Sequence, residues 1–324
     1  MKSRVLLLQK ILKTAALSLG GLVVMLGLGY SICLLRRPAR TPMKSVLFEG
    51  VTYERQVFNE PQPRVFHIVT VDLTAPGIGF LVSPPRPSAN LLPSHLADEL
   101  PPGEGELELS ADTVPGFLKR YQVQVAINGS YFFPHYVHSP VDFYPRVGDG
   151  ASVVGIGIAN GDRYSAAQEG WAALCVISPR DIRITEQDCP PQTQQAIAGD
   201  IQFVKDAQLY KGGLVLLKDN ATKSMPRTVI AVDKNTTRLW MVIVDGRQEF
   251  YSEGITLAEL GEFLIKQGAD RAINLDGGGS SALAVERQGR AAVLNSSIQA
   301  RIPTNQRPVA NHFGLYANPL PAEP

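Results

Sequence analysis

The chain has 324 residues, 44% hydrophobic and 19% charged, a composition that excludes intrinsic disorder and suits one large domain or two smaller ones. The formal net charge is +1, yet eight of the 31 basic residues and none of the 30 acidic ones fall within residues 1–44. The rest of the chain is therefore acidic by seven charges and has no basic stripe, which argues against nucleic acid as a partner.

The first predicted element is apolar. From Thr14 to Leu35 there is no charged residue. As a helix this stretch reaches about 33 Å, enough to span a bilayer. Residues 1–13 then read as a cytoplasmic N-terminus and 14–35 as an uncleaved transmembrane helix that anchors the chain to a membrane. A cleaved signal peptide is the alternative, although Tyr30-Ser-Ile-Cys33 is a poor cleavage site. Lys2, Arg4, Lys10 and Lys13 precede the segment and Arg36, Arg37, Arg40 and Lys44 follow it, so the positive-inside comparison is tied. Residues 36–64 read as a linker leading into a domain over 65–320.

That domain predicts as α+β: a mixed, strand-rich sheet with few helices and at least one βαβ unit. Apolar runs at Val65–Val71, Ile78–Val82 and Val123–Ile127 read as strands. Pro84 to Gly105 reads as a Pro-rich surface loop, and Thr113 to Tyr121 as a short helix. Cys175 and Cys189 form the one disulfide available outside the apolar segment, or else remain two thiols. Leu239 to Val244 is continuously apolar, as in a strand buried on both faces. Thr256 to Gln267 predicts a helix, with Thr256 and Glu259 spaced as a capping box and Gly268 as its stop. Arg271–Leu275 and Ser281–Val285 are further strands.

Strand, helix and strand over 239–275 make a right-handed crossover between parallel strands. Asp245 and Asp276 then lie at the same sheet edge, where ligands bind in open α/β sheets. Their backbones stand about 5 Å apart if the strands are adjacent, and about 10 Å if one strand intervenes. Asp245-Gly246 is equally the composition of a plain turn. Asp276 is different, because Gly277, Gly278 and Gly279 follow it, then Ser280 and Ser281. Three glycines let the backbone approach a ligand and offer N–H donors. The block is not a P-loop, since no Lys follows and a strand stands where a helix is required.

The block Asn274-Leu-Asp-Gly-Gly-Gly-Ser-Ser281 resembles the signature of the phosphodiester glycosidase family. Ala126 to Phe133 with its Asn128-Gly129 pair, Pro226-Arg227-Thr228, Val244-Asp-Gly-Arg247 and Arg307-Pro-Val-Ala-Asn311 resemble further family segments in the same order. The likeness covers about residues 65–316. It departs at Ala196–Gly213, which lacks an expected glycine-rich segment, and at Pro84–Gly105 and Tyr131–Pro145, which look particular to this chain.

The resemblance implies hydrolysis of a sugar-1-phosphodiester; with the apolar anchor and a Cys175–Cys189 bridge, the expectation is a domain outside the cytoplasm (periplasmic or extracellular) acting on a glycan or envelope polymer. Asp276 and Asp245 become the candidate carboxyl pair. Arg227, Arg247 and Arg307 become phosphate ligands, because a guanidinium fork matches paired oxygens. Taken singly, each arginine also fits a structural salt bridge. Asn128 and Thr228 become ligands of sugar hydroxyls or phosphate, although Asn128-Gly129 also fits a turn. Gly277–Gly279 and Ser280 line the same site. Tyr131–His138 offers aromatic faces for a sugar ring, or simply packs in the core. His135 and His138 lack a third ligand, so no metal is expected, and nothing calls for a cofactor. The absence of a Gly-x-Ser-x-Gly elbow speaks against a serine hydrolase. A non-catalytic envelope module that binds anionic glycans is the alternative, and a purely structural role for the glycine block is a third.

Overall fold

The computed structural model describes residues 18, 20, 21, 24, 25, 27–86, 92, 96, 107–186, 188–210, 212 and 219–321. Its largest element is an eight-stranded sheet in the order Met43–Phe48, Val51–Phe58, Arg64–Asp72, Arg238–Val244, Arg227–Val232, Arg271–Asn274, Ile201–Lys205 and Gln208–Leu209. The predicted crossover is present. The Arg238 and Arg271 strands run parallel to each other, because each is antiparallel to the Arg227 strand lying between them. That intervening strand corrects the mixed sheet expected from the sequence. The crossover leaves a slot, a returning strand fills it, and every ladder in this sheet is antiparallel.

The Leu257–Lys266 helix makes the crossover, with both halves of the Thr256–Glu259 capping box formed. Its Leu257, Leu260 and Leu264 pack on Phe203, Val229, Trp240 and Val242, which cover one face of the sheet. The opposite face carries Val69, Ile230, Met241 and Ile273 into the central core. There it meets two five-stranded sheets. One runs Arg290–Val293, Leu283–Arg287, Val125–Asn128, His312–Tyr316, Gly79–Val82; the other runs Asp162–Ser165, Gly157–Ala159, Gln195–Gly199, Ala172–Ser178, Asp181–Thr185. Ile127, Leu283, Phe313, Leu174 and Ile197 come from these two sheets. A second helix, Val114–Tyr121, is capped by Thr113 and closes the outer face of the Val125 sheet through Val114, Phe117 and Leu118. The order is thus helix, sheet, paired sheets, helix: strand-rich α+β, as the composition implies.

Part of the segment read as a linker is structural. Residues 43–58 form a hairpin at one edge of the main sheet, and Val51, Tyr53 and Arg55 alternate inward as a half-buried strand requires. Most of Pro84–Gly105 lies outside the described residues, as do residues 14–17, 19, 22, 23 and 26 of the apolar segment. Among the described residues no helix is long and apolar enough to cross a membrane, and residues 27–35 are helical.

Cys175 and Cys189 are bonded, with Cα atoms 5.7 Å apart. Both are buried, and the bridge ties the Ala172–Ser178 strand to the segment that follows its hairpin. A closed loop of this length stabilises a fold by about 3 kcal/mol. The Cys175→Ala/Cys189→Ala double variant is therefore expected to lose about that much in urea unfolding, with no change in secondary structure by circular dichroism.

Candidate active site

The Asp276 block crosses from one sheet to another. Arg271–Asn274 belongs to the main sheet and Leu283–Arg287 to the Val125 sheet. The crossing is tied at both backbone polar groups of one residue, Asp276. Asp276 N donates to Gly129 O at 3.1 Å, and Asn128 Nδ2 donates to Asp276 O at 2.6 Å. Asn128 Oδ1 accepts from Thr228 Oγ1 at 2.8 Å and from Ala282 N at 3.2 Å. Asn128 and Thr228 are fully buried. They lie beneath the site and use their hydrogen bonds to shape it, so they do not face a ligand.

The glycines have a specific task. A Cβ on Gly277 would stand 2.7 Å from Pro226 O. On Gly278, whose φ is +58°, it would stand 3.1 Å from Arg247 Nη1, and on Gly279 it would stand 2.6 Å from Arg307 Nη2. The block is thus the floor on which two guanidinium groups lie. Its amides are largely engaged: Gly277 N bonds the Asp276 carboxylate and Gly278 N donates to Pro226 O at 2.9 Å. The backbone donors expected from the sequence are thus largely occupied, and the polar groups lying over the block are side chains. Arg307 Nη1 donates to Ser280 Oγ at 3.1 Å and its Nε to Gln299 Oε1 at 2.7 Å. Ser280 in turn hydrogen-bonds the Asp276 carboxylate.

Asp276 is half-buried, and a second acid lies near it. Asp200 accepts from Tyr131 OH and from Asn274 Nδ2, both at 2.8 Å. Loss of solvation pushes the Asp276 carboxyl up to about 6, against the pull of Ser280 and Arg307, and the charge of Asp200 pushes the same way. Loss of solvation likewise pushes Asp200 up to about 6, against Asn274, Tyr131 and Arg227. Burial, then Asp200 and Asp276, drives the Tyr131 hydroxyl well above its usual range, so it stays a donor. Arg227 is buried, donates to Ile255 O at 3.2 Å and Lys223 O at 2.9 Å, and supplies a positive charge behind Asp200. Burial lowers its own pKa to about 10.

Asp245 stands apart. Its Oδ2 accepts from His67 Nε2 at 3.0 Å and Ser296 N at 3.1 Å, and its Oδ1 from Asn295 Nδ2 at 3.0 Å. Tyr53 OH meets His67 Nδ1 at 2.8 Å, closing a relay with no exposed member. Strand alternation explains the separation. Asp245 continues the face of Met241 and Ile243, which looks into the central core. Asp276 continues the face of Ala272 and Asn274, which looks the other way. The two acids share a sheet edge, as the crossover required, and point to opposite faces of the sheet. Asp200 takes the place beside Asp276 that the sequence reading gave to Asp245.

Residues 121–316, more than half the chain, match the family model for phosphodiester glycosidases. The chain belongs to the phosphodiester glycosidase family. No curated protein matches the sequence. Among solved structures, a hypothetical protein from Synechocystis aligns with a TM-score of 0.60 at 13% identity, over 86% of this chain and 64% of that one. The zebrafish N-acetylglucosamine-1-phosphodiester alpha-N-acetylglucosaminidase catalytic domain, auto-inhibited by its pro-peptide, aligns with a TM-score of 0.55 at 18% identity, over 86% of this chain and 88% of that one. At such identities the likeness is one of fold, and the chain spans under two thirds of the Synechocystis protein's length.

In this candidate site the structure gathers Asp276, Gly277, Gly278, Gly279, Ser280, Arg247 and Arg307, with Arg227 behind them. Asp200, Tyr131 and Asn274 complete it. Asp200 lies in the stretch read only as a departure from the family, and Tyr131 in a cluster read for its ring faces. A signal was present: Gly199-Asp200 interrupts two apolar runs, and a Cβ on Gly199 would collide with Asn274 O. Among the described residues no group of acids, histidines and cysteines could hold a metal ion.

Two substitutions test this geometry. Gly279→Ala pushes Arg307 off its floor and is expected to lower kcat/KM by about 10²-fold in steady-state assays while the melting curve stays cooperative. Asp245→Ala leaves His67 and Asn295 without their buried partner and is expected to cost about 3–5 kcal/mol in denaturant unfolding.

Proposed function

We propose that the site hydrolyses the bond between the anomeric carbon of a sugar and a phosphodiester oxygen, and that it does so outside the cytoplasm. The observation carrying this reading is the placement of Asp276, half-buried between the Arg247 and Arg307 guanidinium groups on a floor of glycines. Cleavage leaves positive charge on the sugar ring and adds a second negative charge to the departing phosphate. Asp276 answers the first, and the two arginines answer the second, in a pocket where such charges act strongly. Water supplies hydroxide to the sugar and a proton to solution, giving a free sugar and a phosphate monoester. Phosphate is a good leaving group once neutralised, so the arginines carry most of the work of departure. Asp200, with Tyr131 and Asn274, is a positioning residue: it sets the charge environment of Asp276 and does not reach the reacting atoms in this reading.

The extracytoplasmic part of the proposal is supported by the Cys175–Cys189 bridge, which suits an oxidising compartment, and by the uncharged stretch at 14–35 as an anchor. Protease treatment of intact and osmotically opened cells that carry a C-terminal tag tests it; protection of the tag in intact spheroplasts overturns it.

A mass-spectrometric screen of sugar-1-phosphodiesters, starting with N-acetylglucosamine-1-phosphoglycerol, tests the chemistry. The wild type is expected to release free sugar, and Asp276→Asn to lower kcat by at least about 10²–10³-fold without loss of fold. Saturable binding with no product from the wild type replaces the reading with a binding module. The working form of Asp276 is ionised, and its carboxyl lies at about 6, so kcat/KM is expected to fall as pH drops through about 6. Asp200→Asn removes a negative neighbour that raises the Asp276 pKa, so the acid limb is expected to move to lower pH. An unmoved limb removes Asp200 from its positioning role.

A further inference from the structure

The two arginines over the glycine block also line open space beyond it. A cavity of about 250 Å³ is lined by Arg307, Arg247, Arg301, Ile298 and Val137. A larger cleft of about 670 Å³ adjoins it through shared walls at Arg247, Arg301 and Ile298, and continues past Phe250 to Tyr30 and Arg37. Together they form one groove from the arginines that lie over the glycine block to the end of the 27–35 helix. That end is docked on the domain: Arg37 stacks over Tyr251 at 4.6 Å, and Tyr251 OH donates to Pro38 O at 3.1 Å.

The groove is cationic along its length. Arg307, Arg247, Arg301 and Arg37 follow one another, and Glu249 is the one acid lining the larger cleft. Arg307 is held by Ser280 and Gln299, and Arg37 by Leu34 O and Tyr251. The guanidinium groups of Arg247 and Arg301, by contrast, make no hydrogen bond or ion pair among the described residues. Arg301 lies close enough to Arg247 for its charge to oppose that of Arg247. Both residues hold left-handed backbone, at φ +56° and +60°, a conformation that arginine seldom adopts. Asp276 is the acid whose charge acts on Arg247 and Arg307, and Arg301 adds a further like charge on unfavourable backbone with no directly bonded partner, an arrangement suited to binding anions.

We propose, building on the glycosidase reading above, that the aglycone side of the substrate runs along this groove and carries a second anionic group at Arg301, so that the natural substrate is a glycan with successive phosphodiesters. Arg247 and Arg307 serve the phosphate that leaves. Arg301 serves the next one along the chain. The segment at Arg37 closes the far end, which sets the direction in which the polymer departs.

Three synthetic probes test this: N-acetylglucosamine-1-phosphoglycerol, the same compound extended by a second phosphoglycerol unit, and the first compound carrying a long alkyl chain instead. At low ionic strength the wild type is expected to prefer the two-phosphate probe by about tenfold in kcat/KM, through KM, and to lose the preference as salt rises. Arg301→Ala is expected to abolish the preference while leaving the one-phosphate probe within about twofold. Equal rates on one and two phosphates, a preference that survives Arg301→Ala, or a preference for the alkyl probe each overturn the proposal; the last assigns the groove to a lipid. The one-phosphate probe reads the glycosidase reaction by itself, so failure of the reaction and failure of the groove are separable. If nothing is cleaved, Kd values of the Asp276→Asn variant for the first two probes still report on the groove, and equal values overturn it.

Discussion

The backbone of one residue organises this site. The Asp276 backbone is tied to Gly129 by its N–H and to Asn128 by its carbonyl, where the chain leaves one sheet for the next. A crossing between sheets would otherwise strand buried backbone groups without partners, at a cost of about 1–3 kcal/mol each. Asn128 removes part of that cost by joining the Asp276 carbonyl, Thr228 of the main sheet and the N–H of Ala282, just before the Leu283–Arg287 strand, in one network. The result is a carboxylate at a fixed height on a rigid seam. Such rigidity is what electrostatic catalysis asks of a scaffold, because the charges need not reorganise as the reaction proceeds.

The glycines follow from the same seam. With the backbone pinned, the block that follows Asp276 sets how closely Arg247 and Arg307 can lie. Gly278 and Gly279 leave the surface bare, and Arg247 and Arg307 occupy it. Two cations and two acids then share a poorly solvated volume. Burial raises Asp276 and Asp200, and lowers Arg247 and Arg307, relative to their ordinary values. Such opposed shifts in one cleft are a frequent property of functional sites, because groups placed for stability alone are usually better solvated or fully paired. Asp245 is the contrasting case within the same molecule: its oxygens are bonded to His67, Asn295 and Ser296, and it serves the core.

Legibility differed from residue to residue for physical reasons. The Leu257–Lys266 helix and its box at Thr256 and Glu259 could be read because capping is local. The parallel relation of the Arg238 and Arg271 strands could be read because a helical crossover permits little else. The facing of Asp245 could not. Its strand is buried on both sides, so it lacks the polar and apolar alternation that would show which way each residue points. Asp200 was hidden for a related reason: it reaches Asn274 by sheet pairing across 74 positions of sequence, and no local pattern records that.

By itself the sequence determined the strand-rich character, the Thr256 helix with its capping box and the family, and it singled out Asp276 within its glycine block. These depend on short-range periodicity or on a motif. Tertiary structure alone decided that Asp245 is a core anchor, that Asn128 and Thr228 build the seam, that Asp200 accompanies Asp276, and that the glycines make room for guanidinium groups. Those outcomes depend on which faces of three sheets meet, and facing is a property of the packed chain that a doubly buried strand does not carry in its sequence.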